Sequence, residues 1–445
     1  MKRRRISNGR QYYHQDLLKA MGRFLPRRGL ALVVADGRVR WAPRLLVTCA
    51  VMLGWMSGAS LRECFGAARE VVVAMYVSRR RPGETLAGFL SALQNQSAEL
   101  LAVVVQQLRR MTSVLAGRLW RLGPWVVLGA DGSRVECPMT RANERGLGCA
   151  GKAKTTPQLF ITTLFHVATG LPWAWIRDRG DASERGQLRQ MLKRLPSRTL
   201  LLMDAGFPSY VLLRALLALG HDFIVRVGRN VQLLRKLNWD VERHGNVVYL
   251  WPQKHRKRPP LKLRLVQIKS KKKTVYLLTS VLDERRLNDT QVAELYRLRW
   301  GIEVMYRTLK RTLEHHKMRS DTPERAKVEL DWYMVGLWML GLMTLEAMGP
   351  RRRLQQRWSA GEALACVRTA MRNAHRPRRR GGLRQQLHNA VQDSYERLKS
   401  KKARHYPRKK TERPAGRPKI RMATRAERTV AQAFQQPRAP NYFAA

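Results

Sequence analysis

Residues 199–228, TLLLMDAGFPSYVLLRALLALGHDFIVRVG, read as strand, helix and strand. TLLLMD (199–204) is an apolar run too short for a helix, and it delivers an aspartate. A helix is expected over 208–219 and a second apolar strand over 221–228. Upstream, PWVVLGAD (124–131) has the same form, an apolar strand ending in Asp131. A loop rich in Gly and Arg then leads to TPQLFITTLFHVATG (156–170) and LPWAWIRD (171–178), with Ala168-Thr169-Gly170 as the hairpin turn. Ser183–Leu195 follows as an amphipathic helix capped by Asp181 or Ser183. The order is three strands, helix, strand, helix, strand, which suits an α/β fold with a mixed sheet and helices on both faces.

Asp131 and Asp204 each stand at the carboxyl end of a strand, where open α/β sheets place their sites. A single such aspartate can simply cap a turn. Two of them, ending equally apolar strands, favour a site. Glu136 reads as a loop residue, and Asp178, Asp181 and Glu184 as the acidic start of a helix.

Residues 229–285 interrupt this pattern with a small β-rich insertion: VQLLRKL, NVVYLWP, LKLRLVQIKS and KTVYLLTS read as short strands. Its turns, 253–260 and 269–273, are strongly basic, and Trp239 and Trp251 are candidates for stacking on bases or for filling a core. Asp289–Lys317 reads as one long helix capped by Asn288 or Asp289, with a second helix, Pro323–Met348, behind it.

Within the first of these helices lies YRLRWGIEVMYRTLK (296–310). At about 100° per residue, Tyr296, Arg299, Glu303 and Lys310 share an arc of roughly 60°. Leu295, Leu298, Ile302, Met305, Leu309 and Leu313 form the neighbouring apolar stripe, which would bury and hold the polar stripe at its edge. Taken alone, this stretch is equally a surface helix with i,i+4 pairs between Arg299 and Glu303 and between Glu303 and Arg307. His315-His316 reads as a solvated or DNA-facing pair.

The 445 residues suit two or three domains, and 44% hydrophobic content supports a sizeable core. Lys and Arg number 86 against 32 Asp and Glu, a net charge of +54. Such a surplus calls for a polyanion, and because the cations are spread along the chain rather than flanking one anchor, nucleic acid is favoured over a membrane surface. The most apolar run, Trp332–Leu345, is shorter than the roughly 20 residues that span a bilayer and reads as a buried core helix. The basic start MKRRRISNGRQYYHQ lacks the apolar stretch of a secretory signal. Five cysteines without a CxxC pair fit a reducing cytoplasm rather than a disulfide framework or zinc knuckle.

Residues 1–115 are expected to be a helical N-terminal region, a candidate for DNA binding, with helices near 43–56, 59–76 and 84–110. From 349 to 445 the chain is a basic, partly disordered tail. Residues 351–425 hold 24 Lys or Arg against four acids, with helices at 361–373 and 382–399 and disorder from 400 onward. Gly416-Arg417-Pro418-Lys419 resembles a minor-groove AT-hook core.

Three carboxylates from two strand ends and one helix are what two-metal phosphoryl transfer requires, because hard oxygen ligands hold Mg²⁺ and a pair of ions serves both the attacking and the leaving oxygen. The spacing of Tyr296, Arg299, Glu303 and Lys310 matches the YREK signature of the insertion-sequence-4 family of bacterial DDE transposases, and GADGS (129–133) and LLMDAGF (201–207) resemble that family's two aspartate motifs. Met203 stands where many relatives have Ala. The resemblance covers about 124–348 and implies a ribonuclease H-like catalytic domain, 116–348, carrying the β-rich insertion. It implies that Asp131, Asp204 and Glu303 bind two Mg²⁺ or Mn²⁺ ions. Tyr296, Arg299 and Lys310 would contact a phosphate of the transposon-end strand. It further implies cleavage at transposon ends, strand transfer into double-stranded target DNA, and a homodimer in the synaptic complex. A silent DNA-binding derivative and a ribonuclease H-like nuclease are the alternatives.

Overall fold

A computed structural model describes residues 11–33, 40–58, 60–76, 81–149, 156–237, 246–269, 274–350, 353–354, 357–378, 381–391 and 415–435. Trp239, the basic turn residues 270–273 and the first ten residues lie outside this set, as do 392–414 and 436–445 of the tail. The chain folds as two compact units. The first comprises Met1–Trp120, Gly132–Ala182 and Gly301–Glu396, and the second Arg121–Asp131, Ser183–Trp300 and Arg397–Ala445.

The described strands are β1 (Val126–Glu136), β2 (Gln158–His166), β3 (Leu171–Arg179), β4 (Thr199–Met203), β5 (Asp222–Val227), β6 (Gln232–Arg235), β7 (Val247–Leu250), β8 (Leu261–Lys269), β9 (Thr274–Thr279) and β10 (Lys419–Met422). β1 contributes its first half to the second unit and its second half to the first. In the second unit the order is β10-β6-β7-β8-β9-β5-β4-β1. β1, β4 and β5 run parallel, β5 through β6 are joined by antiparallel pairings, and β10 is parallel to β6. In the first unit β1 is followed by β2 and then β3. β2 and β3 form the expected antiparallel hairpin, closed at Gly170 (φ +74) by Gly170 N–H donating to the carbonyl of His166. Strands of both directions with flanking helices make the mixed α/β fold that the sequence pattern predicts.

The β-rich insertion extends the sheet rather than standing apart from it, since β9 pairs with β5 from Ile224↔Thr279 to Val227↔Tyr276. Trp251 is 2% exposed, donates Nε1–H to the carbonyl of Arg258 and carries Arg256 over its ring, so it is core and not a base-stacking surface. β8 also anchors the next helix, Asp289–Leu298. The buried Arg264 guanidinium reaches Glu284 at 3.5 Å and Asp289 at 3.8 Å, and donates to the carbonyl of Leu287. Asn288 caps that helix through Gln291 N, with Gln291 bonding back.

The N-terminal helices of the first unit lie close to expectation at Pro43–Leu53, Leu61–Met75 and Leu86–Ala116, with further helices at Tyr13–Gly22 and Arg27–Ala31. Thr85 starts the longest, its hydroxyl accepting from Gly88 N. Helix Pro323–Met348 is buried on nearly every face, as an all-apolar helix must be. Its indoles seek partners on the long N-terminal helix: Trp332 donates to Ser97 and Trp338 to Thr112. Asp331, buried, takes Arg177 at 2.7 Å and the indole of Trp175 at 2.7 Å. Among the described residues no helix is long and apolar enough to cross a membrane.

Several expectations change. The single helix over 289–317 is instead a helix at Asp289–Leu298, a turn at Arg299-Trp300, a helix at Gly301–Arg307 and a π-helical turn at Thr308–Thr312. Glu136 ends a strand, its carbonyl accepting from Met318 N at 2.7 Å. His315 is buried: its ring stacks on Tyr333 at 3.5 Å and Nε2 meets the carbonyl of Gly54 at 2.8 Å. In the tail, the helix at 382–399 is described only as Leu383–Asn389, and the disorder expected from 400 onward gives way to β10 and the helix Arg425–Gln432. Gly416–Lys419 therefore leads into a sheet edge strand, not an AT-hook.

Burial pushes the His315 imidazole down to about 3. The folded chain thus refuses a proton that the unfolded chain accepts below about pH 6.5, so stability is lost as pH falls from there toward 3. Urea unfolding at pH 7 and pH 4.5 should show a loss from this group of about 2–3 kcal/mol. His315→Gln should show a correspondingly smaller pH effect. Arg264→Ala should cost about 3 kcal/mol, measured the same way at pH 7, because it strips a buried charge from two carboxylates and a carbonyl.

Candidate active site

The register of the second unit builds the site. β1 and β4 pair from Val126↔Thr199 to Ala130↔Met203, so the next step sets Asp131 beside Asp204. β4 and β5 pair from Leu200↔Asp222 to Met203↔Val225, so the same step sets Asp204 beside Arg226. Neighbouring residues in register share a face and stand about 4.8 Å apart. Aspartate, aspartate and arginine therefore form a row, with Asp204 one residue past β4 and Arg226 next to last in β5. Asp131, expected to end its strand, instead lies midway along β1, which runs on to Glu136. The apolar residues before them, Leu200–Met203 and Phe223–Val225, are fully buried and fix the strands that carry the row.

Asp204 is partly exposed and held from two directions. The Arg226 guanidinium lies 3.7 Å from Oδ1, and the Tyr296 hydroxyl donates to Oδ1 at 3.2 Å. Burial, with the Asp204 charge beside it, raises the Tyr296 phenol far above its ordinary value, so it stays a proton donor. Arg299 is 8% exposed and sits over the Tyr296 ring at 5.6 Å. Asp131, Asp204, Tyr296 and Arg299 thus belong to one unit, along with Arg226, which sequence reading passed over. Its signal was present: FIVRV is an apolar strand broken by one arginine near its carboxyl end, much as the neighbouring apolar stretches lead into aspartate.

Glu303 and Lys310 belong to the first unit, on the helix Gly301–Arg307 and the π-helical turn after it. A π turn inside a helix re-aims side chains and is frequent at functional positions. Lys310 Nζ donates to Ser133 Oγ at 2.8 Å, tying the helix to β1 just past Asp131. Ser133 is the second residue that the sequence reading did not single out. The helix can start where it does because position 301 is glycine: a Cβ there would meet Phe165 Cε1 at 2.8 Å. Glu303 is partly exposed, and Trp300, at the break, is 56% exposed.

Asp178, Asp181 and Glu184 do not form a second site. Asp181 pairs with Arg179, whose hydrogen bond lowers its carboxyl, and Ser183 caps the helix Glu184–Met191 through Gly186 N. All five cysteines are free thiols, and burial pushes the Cys137 thiol up to about 12.

Residues 126–339 match the family described as the transposase DDE domain. This region begins at the first residue of β1 and contains both aspartates, Glu303 and Lys310. The chain is also 28% identical over 290 residues to the transposase InsG for insertion sequence element IS4 of Escherichia coli (strain K12). That alignment covers 58% of this chain and 65% of the relative, so less than two thirds of the relative's length is matched. Among solved structures, a piggyBac transposase synaptic complex with hairpin DNA aligns with TM-score 0.45 and 14% identity over 88% of each chain.

Carboxylate oxygens such as those of Asp131 and Asp204 are the donors that a hard cation prefers. The register sets Asp131 and Asp204 one strand apart, and among the described residues no group of three or more His, Cys, Asp or Glu is close enough to hold a metal ion. Arg226→Ala should leave Asp204 held by Tyr296 alone and two like charges less compensated. Isothermal titration should then show Mg²⁺ affinity changed by about threefold or more, with Arg226→Lys closer to wild type.

Proposed function

We propose that the chain is a DNA transposase of an insertion sequence, catalysing metal-dependent cleavage at transposon ends and strand transfer into target DNA. The observation that carries this reading is the parallel register of β1 with β4, which runs to Ala130↔Met203 and so leads into Asp131 and Asp204 side by side, inside a region that matches the transposase DDE domain family. In this reading Asp131, Asp204 and Glu303 hold divalent metal, Mg²⁺ or Mn²⁺, as two ions. Bound metal would supply Lewis-acid stabilisation of the phosphoryl oxygens and an attacking oxygen activated at neutral pH.

The protein's own groups do the rest. Tyr296 and Arg226 hold Asp204 oriented. Arg299 grips a phosphate of the transposon-end strand with its guanidinium fork, Lys310 adds a point charge steadied by Ser133, and Tyr296 lies beside both the carboxylate and that phosphate. The partner is double-stranded DNA, both transposon ends and target, for which the +54 charge provides sequence-independent attraction. Bringing two ends together calls for a homodimer. The chain would work in the cytoplasm on the nucleoid. The N-terminal helices 1–115 and the basic tail 349–445 would flank a catalytic domain over 116–348 and add DNA contacts.

Asp131→Ala, Asp204→Ala and Glu303→Ala should each lower Mg²⁺-dependent cleavage of the element's end sequence by about 10³-fold or more while leaving DNA affinity within about threefold. Full activity in any one variant would remove that residue from the site. Cleavage without joining would point to a nuclease, and DNA binding with neither reaction to a silent derivative. Lys310→Ala should slow cleavage by about 10- to 100-fold at saturating metal, through end-strand positioning rather than metal binding.

A further inference from the structure

Just beyond Asp204 the second unit holds a cavity of about 430 Å³, which begins at Pro208 in the loop that Asp204 opens. Six of its lining residues set its character: Arg185, Tyr210, Lys254, His255, Arg256 and Arg421. None of the described residues that line it is acidic. Arg185 donates Nε–H to the carbonyl of Gly206, so its guanidinium is tied to the aspartate's own loop. The Tyr210 and His255 rings stack at 4.7 Å and 18°. Burial, together with Lys254 and Arg258, holds the His255 imidazole below its ordinary value, so near neutral pH this pair is a flat uncharged face in a cationic wall.

The far wall comes from the tail. β10 pairs with β6 from Lys419↔Gln232 to Met422↔Arg235, and Arg229 N donates to the carbonyl of Ala415 at 2.7 Å. Gly228 makes this approach possible, since a Cβ there would lie 2.3 Å from that carbonyl oxygen. Glu427 locks the segment down: its carboxylate takes two nitrogens of Arg421, at 2.6 and 2.7 Å, and one of Arg256. One carboxylate thus answers two guanidiniums. With Arg185 and Lys254, the cavity retains a surplus of positive charge. Arg256 Nε and Nη1 are buried with no hydrogen-bond partner among the described residues, donors that a phosphate oxygen would satisfy.

We propose that this cavity is a DNA-phosphate site, distinct from the carboxylate row, which seats the backbone of the strand beyond the reacting phosphate and exists only because the segment 415–435 supplies its outer wall. The proposal rests on the transposase reading for the identity of the polyanion. Its size suits a nucleotide unit, with phosphate on the cations and an apolar edge against the Tyr210–His255 stack.

The test uses the full chain and a short fluorescein-labelled DNA duplex, with affinity read by anisotropy across a range of salt concentrations. Lys254→Glu, at an exposed position, and Arg421→Ala should each weaken binding about fivefold or more and reduce the salt slope by about 1. Lys193→Glu, an exposed cation in the short turn Leu192–Arg194, is the control and should change affinity by no more than about twofold. Thermal melting checks that each variant folds. Should Arg421→Ala unfold, Lys254→Glu decides alone. Equal losses in Lys254→Glu and the control overturn the site while Mg²⁺-dependent cleavage by the wild type still stands for the transposase reading. A wild-type chain that binds no DNA overturns both.

Discussion

Two carboxylates held one strand apart repel each other, and the second unit is arranged around that repulsion. Parallel pairing of β1 with β4 leaves Asp131 and Asp204 no freedom to separate, because the residues before them are locked in a buried ladder. The next strand answers with Arg226 in the same row, and the helix Asp289–Leu298 answers with Tyr296. The helix that brings Tyr296 is itself pinned by Arg264, so a fully buried charge at one end of the helix sets the position of a hydroxyl at the other.

The Tyr-Arg-Glu-Lys spacing is not the stripe of one straight helix. Tyr296 and Arg299 end one helix, and Glu303 and Lys310 occupy the next, across a turn and into a π-helical segment. Each half has its own anchor: Asp204 receives Tyr296, and Ser133 receives Lys310. The shared arc of an ideal wheel is therefore a sequence regularity whose physical basis lies in two separate helices. Gly301 permits the break, because the second helix begins against the Phe165 ring, where a side chain would not fit.

Much of this was legible in the residues. The apolar stretches that lead into Asp131 and Asp204, the ATG hairpin turn and the all-apolar helix Pro323–Met348 follow from periodicity and turn chemistry, which act locally. What escaped was set by distant partners. His315 reads as a surface histidine until Tyr333 and the carbonyl of Gly54 are brought to it. The tail reads as disordered on composition, yet an edge strand needs only a neighbour with free backbone groups, and β6 provides one. Arg226 and Ser133 acquire meaning only through register and contact, which a single sequence does not display.

The late edge strand also has a meaning in time. β6 leaves the ribosome roughly 190 residues before β10 does, an interval of about 10–40 s at ordinary rates of synthesis. Throughout it, the nascent chain carries an open strand edge that its own terminus will later cover. Each newly made copy thus passes through a period in which its sheet is unfinished and can accept a foreign strand, so overproduction, which crowds such nascent chains together, favours exchange of the terminal segment between copies and aggregation along that edge.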